Sequence, residues 1–476
     1  MSDGSSAHKL AELLRDEVKR YSPGAKLPSS RDLIGRFQIS PATMSRAIAL
    51  LAEGGLVSVR PGAGVFRATS TGTRVDVGDM SWQEVALNTE APPRQIHASA
   101  VLAALTDPPE DVIDLNGGYL HSTMQPEAAL AAALSRAGRR PGVWSRPPTN
   151  GLPELRSWFA RQIVGDLGTI TADNVVLTSG GQTALSVVAR ALTGPSAPVL
   201  VESPTYAGLL SILRTAGLRP VPVPMDEHGL RPDLLTEAFR ATRARLLICQ
   251  PTYQNPTGVT WPRQRRLDIL ATARAAGSFL LEDDFARLLA HAESPAAPPP
   301  LAADDRDGVV VHVRSLSKPT SPTLRVAALC AHGAALERIR GLHAVDQFFV
   351  PRPLQEAALE LVSAPAWRRH LRALSVELRD RRDVTVAAVR EHLPEVAVVT
   401  VPHGGYHLWL RLPDRIDETR LVGEALHAGV AAMPGKVYFA ADAPGSHLRL
   451  SYAAAANREQ IAEGVRRLSV ALGRLG

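Results

Sequence analysis

Long apolar runs are missing from this chain of 476 residues. No stretch approaches the roughly 20 consecutive apolar residues that a membrane-spanning helix needs, which argues against any membrane anchor of that kind. No secretory leader is expected either, since the first residues run through Lys9, Glu12, Arg15 and Asp16 where its apolar core would lie. The expectation is a cytoplasmic protein. Cysteine is nearly absent. Cys249 and Cys330 are the two in the chain, too few for a disulfide framework and in no metal-ligand spacing, so they read as buried free thiols and no metal site is expected. No internal repeat is present either.

What remains is an ordinary globular composition, 45% hydrophobic and 21% charged, able to bury a large core. The length exceeds what one hydrophobic core supports, so two or more folding units are expected. The formal net charge is +6, and it is unevenly spread. Residues 1–70 hold ten Lys or Arg against six Asp or Glu, the concentration of positive charge that a phosphate-binding module requires.

Residues 9–19 place Leu10, Leu13, Leu14 and Val18 at helical spacing. Pro28-Ser29-Ser30-Arg31 supplies a capping start for a second helix whose buried face is Leu33, Ile34 and Phe37. Ser40-Pro41 is an N-cap with proline at the first helical position, opening a third helix over residues 42–53. Residues 56–60 and 65–67 flank Pro61-Gly62-Ala63-Gly64, a hairpin with a glycine turn. Over residues 5–68 this order predicts an α+β winged helix-turn-helix. The stretch resembles the GntR family of winged-helix regulators. That resemblance implies double-stranded DNA as a partner, with Arg31, Thr43, Arg46, Gly62 and Gly64 as contacts. Relatives carry Arg at the start of the reading helix, whereas this chain has Pro41.

Residues 69–110 combine Thr69-Ser70-Thr71-Gly72-Thr73, Ala91-Pro92-Pro93-Arg94 and Asp107-Pro108-Pro109 with one modest amphipathic stretch near residues 96–105. That composition predicts a semi-extended linker. Residues 294–300, also proline-rich, read as a surface loop.

From residue 111 to 476, short β-rich runs (175–178, 199–202, 246–250) alternate with helical patterns (182–192, 206–216). The alternation predicts an α/β fold with a mainly parallel sheet, whose ligands bind at the carboxyl ends of the strands. Ser179-Gly180-Gly181-Gln182 joins a strand to a helix, where backbone N–H groups can hold a phosphate. Tyr206 offers a ring for stacking and Asn255 an amide after a strand. Asp283 is an acid at an apolar strand end, placed for a protonated ring nitrogen. Lys318 follows the apolar residues 309–313 within Ser315-Leu316-Ser317-Lys318, with Arg325 beyond. A buried lysine beside other cations shifts toward its neutral form and can condense with an aldehyde. Arg449 has the planar fork that grips a carboxylate.

In this order the pieces resemble fold type I aminotransferases that use pyridoxal 5'-phosphate, over nearly all of residues 111–476. The resemblance implies that Lys318 holds the cofactor as an imine, Asp283 meets the ring nitrogen, Asn255 the ring hydroxyl and Tyr206 the ring face. Gly180, Gly181, Gln182, Ser315 and Arg325 would surround the phosphate, and Arg449 the carboxylate of an amino acid. Phe285 and Ala286 stand where relatives carry a tyrosine that touches the ring hydroxyl, which predicts weak or no transaminase turnover. Residues 144–148 offer no match for the tyrosine that a partner subunit contributes. Head and body together resemble the MocR subfamily of bacterial regulators. That implies a homodimer sensing an amine, an amino acid or the cofactor itself. Two other readings compete: a working aminotransferase carrying a DNA-binding head, and a cofactor-free dimerisation scaffold.

Overall fold

The computed structural model describes residues 3–19, 21, 24–60, 63–68, 79–88, 98–164 and 170–475. Two compact units result, Met1–Pro93 and Arg94–Gly476. Gly62 and much of the proposed linker, residues 69–78 and 89–97, lie outside the described residues.

The small unit contains α1 (Asp3–Lys19), α2 (Ser30–Phe37), α3 (Pro41–Glu53), the hairpin β1 (Val57–Arg60) and β2 (Gly64–Arg67), and α4 (Ser81–Asn88). Local chemistry sets the helix starts. Ser29 Oγ accepts from Asp32 N at 3.2 Å while the Asp32 carboxylate accepts from Ser29 N at 3.2 Å, a reciprocal cap for α2. Ser40 Oγ accepts from Thr43 N at 3.1 Å, with Pro41 at the first position of α3. Helices this short are held by packing more than by propensity, and Leu14, Leu33, Met44, Ala47, Leu51 and Val57 form the shared core. The strands pair antiparallel with Arg60 opposite Gly64, whose φ of +111° favours glycine.

The large unit begins with α5 (Ser99–Leu105), which packs on the helix Ala207–Thr215. Composition assigns these residues to the linker; Val101 and Ala104 instead turn their apolar sides to the large unit. The strands are β3 (Ile113–Asp114), β4 (Val175–Thr178), β5 (Pro198–Ser203), β6 (Arg219–Asp226), β7 (Gly229–Leu230), β8 (Leu246–Cys249), β9 (Phe279–Asp283), β10 (Val310–Ser315), β11 (Ala327–Cys330), β12 (Ala397–Val398), β13 (His407–Arg411), β14 (Val430–Ala431), β15 (Met433–Pro434) and β16 (His447–Ser451).

Among the described residues one sheet has the order β4-β11-β10-β9-β8-β5-β6-β7. From β6 through β10 all neighbours are parallel, and β11 runs antiparallel between β10 and β4. Strands such as β4, β8 and β10 are buried along their whole length, as expected where helices cover both faces. Alternate residues feed opposite layers: Leu177 joins Phe159 and Ile269, while Val176 joins Leu185 and Ile339. This is the α/β architecture read from the alternation. A second, antiparallel sheet, β12-β13-β16-β15, sets Arg449 opposite Trp409 and Met433. Both cysteines are free and buried.

Candidate functional site

A cleft opens where the parallel strands end. Lys318 lies three residues past β10, and its Nζ donates to the Gly118 carbonyl at 2.8 Å and stands 3.9 Å from the ring centre of Tyr119. Burial pushes the amine down to about 7; the Asp283 carboxylate works against that shift, and Arg449 and Arg325 reinforce it. A large neutral fraction near neutral pH makes the nitrogen a nucleophile.

Asp283 ends β9, and its Oδ2 accepts from Gln250 Nε2 at 2.6 Å. Burial raises its carboxyl to about 6, with the Gln250 hydrogen bond and Lys318 opposing. Gln250 also ties in the next loop, its Oε1 accepting from Asn255 N at 3.0 Å. Its backbone N–H donates to Glu202 Oε2 at 3.0 Å, and that fully buried carboxyl is pushed by desolvation up to about 8. The neighbouring Asp284 accepts from Arg287 at 2.6 Å and Arg314 at 2.5 Å, which outweigh burial and hold it below the usual carboxylate range. These bonds fix the ends of β9 and β10.

Arg449, 4% exposed, reaches the cleft from β16. Its Nη2 donates to the Asn116 carbonyl, Nη1 lies 3.5 Å from Asn255 Oδ1, and Nε is buried with no partner. A buried guanidinium with an unmet donor is prepared for a planar anion. Asn116 Nδ2 in turn donates to the carbonyl of Ala103 in α5 at 3.2 Å.

The opposite end is a cradle. Ser179-Gly180 turns β4 into the helix Gly181–Leu192, and Gly180 has φ +97°. A Cβ there would lie 2.5 Å from Arg325 Nη2, so the guanidinium packs directly on the glycine. Arg325 donates to the Ser179 carbonyl at 2.9 Å. Ser315 Oγ accepts from Ser317 N at 3.1 Å, and Ser317 Oγ is buried without a partner. A helix N-terminus, a guanidinium and hydroxyls together suit a phosphate.

The structure thus gathers Lys318, Asp283, Asn255, Tyr206, Gly181, Gln182, Ser315, Arg325 and Arg449 around one cleft, with Gly180 behind Arg325. Phe285 lines it, while Ala286 is fully buried in the core. Sequence reasoning missed Gln250, Tyr119, Tyr406, His407 and Tyr438, and left the amphipathic stretch that forms α5 inside the linker. Tyr406 Oη donates to the same Gly118 carbonyl as Lys318, at 2.6 Å. His407 is 4% exposed with Nδ1 unpartnered, and burial keeps its imidazole well below the ordinary range. The pairs Gly117-Gly118 and Gly404-Gly405, each just before a tyrosine, were the available hint.

In the head, Arg31 on α2 and Arg46 on α3 are exposed. Thr43 is not brought to the surface: it is 6% exposed, and its hydroxyl lies 2.8 Å from Ser40 Oγ. The side chain completes the cap of α3. Gly64 lies in the described part of the wing, where a Cβ would meet Lys26 Cε at 3.0 Å.

A winged helix-turn-helix and a type I aminotransferase fold on one chain define a two-part protein, a nucleic-acid reader joined to a small-molecule site. Residues 110–468 match the aminotransferase class I and II family, to which the chain belongs, and residues 7–66 match bacterial regulatory proteins of the gntR family. The fusion has the MocR architecture. The uncharacterized HTH-type transcriptional regulator YisV of Bacillus subtilis is 27% identical over 98% of this chain and 97% of its own. The 2-aminoadipate transaminase of Thermus thermophilus is 33% identical over 79% of this chain and 94% of its own. The solved structure of LysN, an α-aminoadipate aminotransferase from Thermus thermophilus, complexed with N-(5'-phosphopyridoxyl)-L-leucine, superposes with a TM-score of 0.75 at 32% identity. It covers 83% of this chain and 99% of that one.

Class I and II aminotransferase folds depend on pyridoxal phosphate. The cleft fits that group on its own chemistry. Lys318 suits an aldehyde and Asp283 a protonated ring nitrogen. The unpartnered Ser317 Oγ and the Gly180–Arg325 cradle suit a phosphate.

Proposed function

We propose that the chain is a transcription regulator that binds pyridoxal 5'-phosphate through Lys318. It reads an amino compound at that site and thereby changes how its head engages double-stranded DNA. It acts as a cytoplasmic homodimer, because paired heads suit repeated half-sites. One observation carries the reading. The Lys318 amine, held at 2.8 Å by the Gly118 carbonyl and facing Asp283, belongs to the same polypeptide as a capped, wing-bearing helix-turn-helix.

When bound, pyridoxal phosphate supplies an aldehyde that condenses with primary amines. The chain's own residues then do the following. Asp283, oriented by Gln250, keeps negative charge at the ring nitrogen. Arg325, Ser315 and the N–H groups of Gly181 and Gln182 bind the phosphate. Asn255 would donate to the ring hydroxyl and Tyr206 would cover the ring. Arg449 takes a ligand carboxylate through its unmet donor while keeping its bond to the Asn116 carbonyl. Asn116 also holds Ala103 of α5, the helix that follows the connector in sequence. Ligand binding can therefore bias α5, by as much as the ligand prefers one arrangement over the other, about 1.4 kcal/mol for each tenfold in affinity.

The lack of a phenol at Phe285 and Ala286 predicts slow amino-group transfer. The near-neutral Lys318 amine favours the competing reading, a working aminotransferase. Two measurements on purified protein separate them: turnover with amino and keto acids, and DNA affinity with and without each amine that shifts the visible spectrum. Rapid multiple turnover with unchanged DNA affinity would overturn the regulatory reading.

A further inference from the structure

We infer that the ligand read in this cleft is an amino acid with an uncharged, apolar side chain, and that α5 is the wall that selects it. This rests on the cofactor reading above. Four side chains lining the cleft carry charge: Lys318, Asp283, Arg325 and Arg449. Each already has a task, at the aldehyde, the ring nitrogen, the phosphate and the ligand carboxylate respectively. Among the described residues of this chain, no charge lining the cleft is left over for the ligand's side chain.

The wall beside Arg449 is hydrocarbon. Val101, Ala104 and Leu105 of α5 line it together with Ala207 and Met433. Ala104 packs into the apolar cluster of Ala207, Trp409, Met433, Tyr438 and Phe439, so this side of the cleft is backed by more apolar surface. Asn116 fixes the spacing between clamp and wall. Its carbonyl accepts from Arg449, and its side chain donates to the Ala103 carbonyl at 3.2 Å. On this proposal a ligand whose carboxylate sits on Arg449 lays its side chain along α5, which Asn116 ties to the clamp. Each methylene buried there gains about fourfold in affinity. A side-chain carboxylate or guanidinium would lose hydration and find no partner.

The test uses the full chain loaded with pyridoxal phosphate, its visible absorbance titrated with L-norleucine, L-glutamate, L-arginine and n-pentylamine. L-Norleucine should half-saturate at a concentration at least about tenfold below the other three, since one missing ion pair or one stranded charge each exceeds that factor. L-Glutamate, L-arginine or n-pentylamine matching L-norleucine would overturn the inference. Ala104→Glu and Leu105→Glu should each raise the L-norleucine half-saturation about tenfold or more and favour L-arginine, with the cofactor band and melting temperature near those of the parent. Two variants keep the test alive if one fails to fold. Parental L-norleucine binding in a folded variant would count against α5. A protein that stays colourless with the cofactor overturns the function proposed above and this inference with it. A coloured protein indifferent to side-chain charge overturns this inference alone.

Discussion

In the cofactor-free protein, Lys318→Met should be more stable than the parent near neutral pH, and the advantage should vanish as the solution becomes alkaline. A free lysine titrates at 10.5, whereas burial holds Lys318 at about 7. The folded chain therefore binds this proton less tightly than the unfolded one. Below about 7 both states are protonated and the full cost of the buried ammonium is present. Between about 7 and 10.5 the unfolded chain keeps a proton that the folded chain has shed, so parental stability rises with pH. Above 10.5 both are neutral. The span, 10.5 less about 7, is about 3.5 pH units, or about 5 kcal/mol at roughly 1.4 kcal/mol per unit. Lys318 is only half-buried and the cleft admits water, so about 2 to 3 kcal/mol is the swing to expect. Methionine is similar in length and does not titrate, and groups that do not face Lys318 cancel in the difference, Asp283 being the neighbour that does not. Melting temperatures of both apoproteins, from about pH 6 to about pH 10, would show the curves converging. Parallel curves, or a parent that falls further behind as the pH rises, would refute the claim that the amine is forced toward neutrality.

Gly180→Ala puts a methyl group 2.5 Å from Arg325 Nη2 at φ +97°. The strain should cost about 1 to 2 kcal/mol, and the displaced guanidinium should weaken cofactor binding about tenfold; parental affinity in an absorbance titration would contradict the cradle. Asp283→Asn removes the carboxylate that raises the Lys318 pKa. The pH midpoint for cofactor uptake should then move to the acid side, and an unmoved midpoint would dissociate the two residues. Arg31→Ala and Arg46→Ala should each weaken DNA binding and lower the salt slope, by about 0.9 for every phosphate that is no longer neutralised; full affinity in both would remove these residues from the interface.

Much of the site was legible because its parts are local. Lys318, Asp283 and Asn255 each follow an apolar strand by a fixed short distance, and a strand end is where a parallel sheet presents its ligands. The head was legible for the same reason, since Ser29, Ser40 and Pro41 mark their helices within four residues. Thr43 shows the limit. Sequence gives it a place near the start of a reading helix, but not that its hydroxyl would turn back to Ser40. Tyr119, Tyr406 and His407 were hidden differently. They reach Lys318 because β13 pairs with β16 and because the Gly118 carbonyl accepts from both Lys318 and Tyr406, contacts between segments some 200 to 288 residues apart. The seven-residue α5 lies within the amphipathic stretch noted near residues 96–105, but its proline-rich surroundings assigned it to the linker.

The groups retained and the group missing fall on opposite sides of a physical divide. Holding a cofactor and a ligand needs ground-state interactions: the Arg325 cradle, the Gln250–Asp283 hydrogen bond, the unmet Arg449 donor, the Lys318 amine. All are in place. Turnover needs further stabilisation that appears only as protons move, and a phenol at the ring hydroxyl would tune that step. Here Phe285 and Ala286 provide none. A sensor gains from such a division, because a ligand that is bound but slowly converted persists long enough to shift a conformational population. Weak turnover beside intact binding would serve the proposed regulator, whereas rapid turnover would favour the working transaminase.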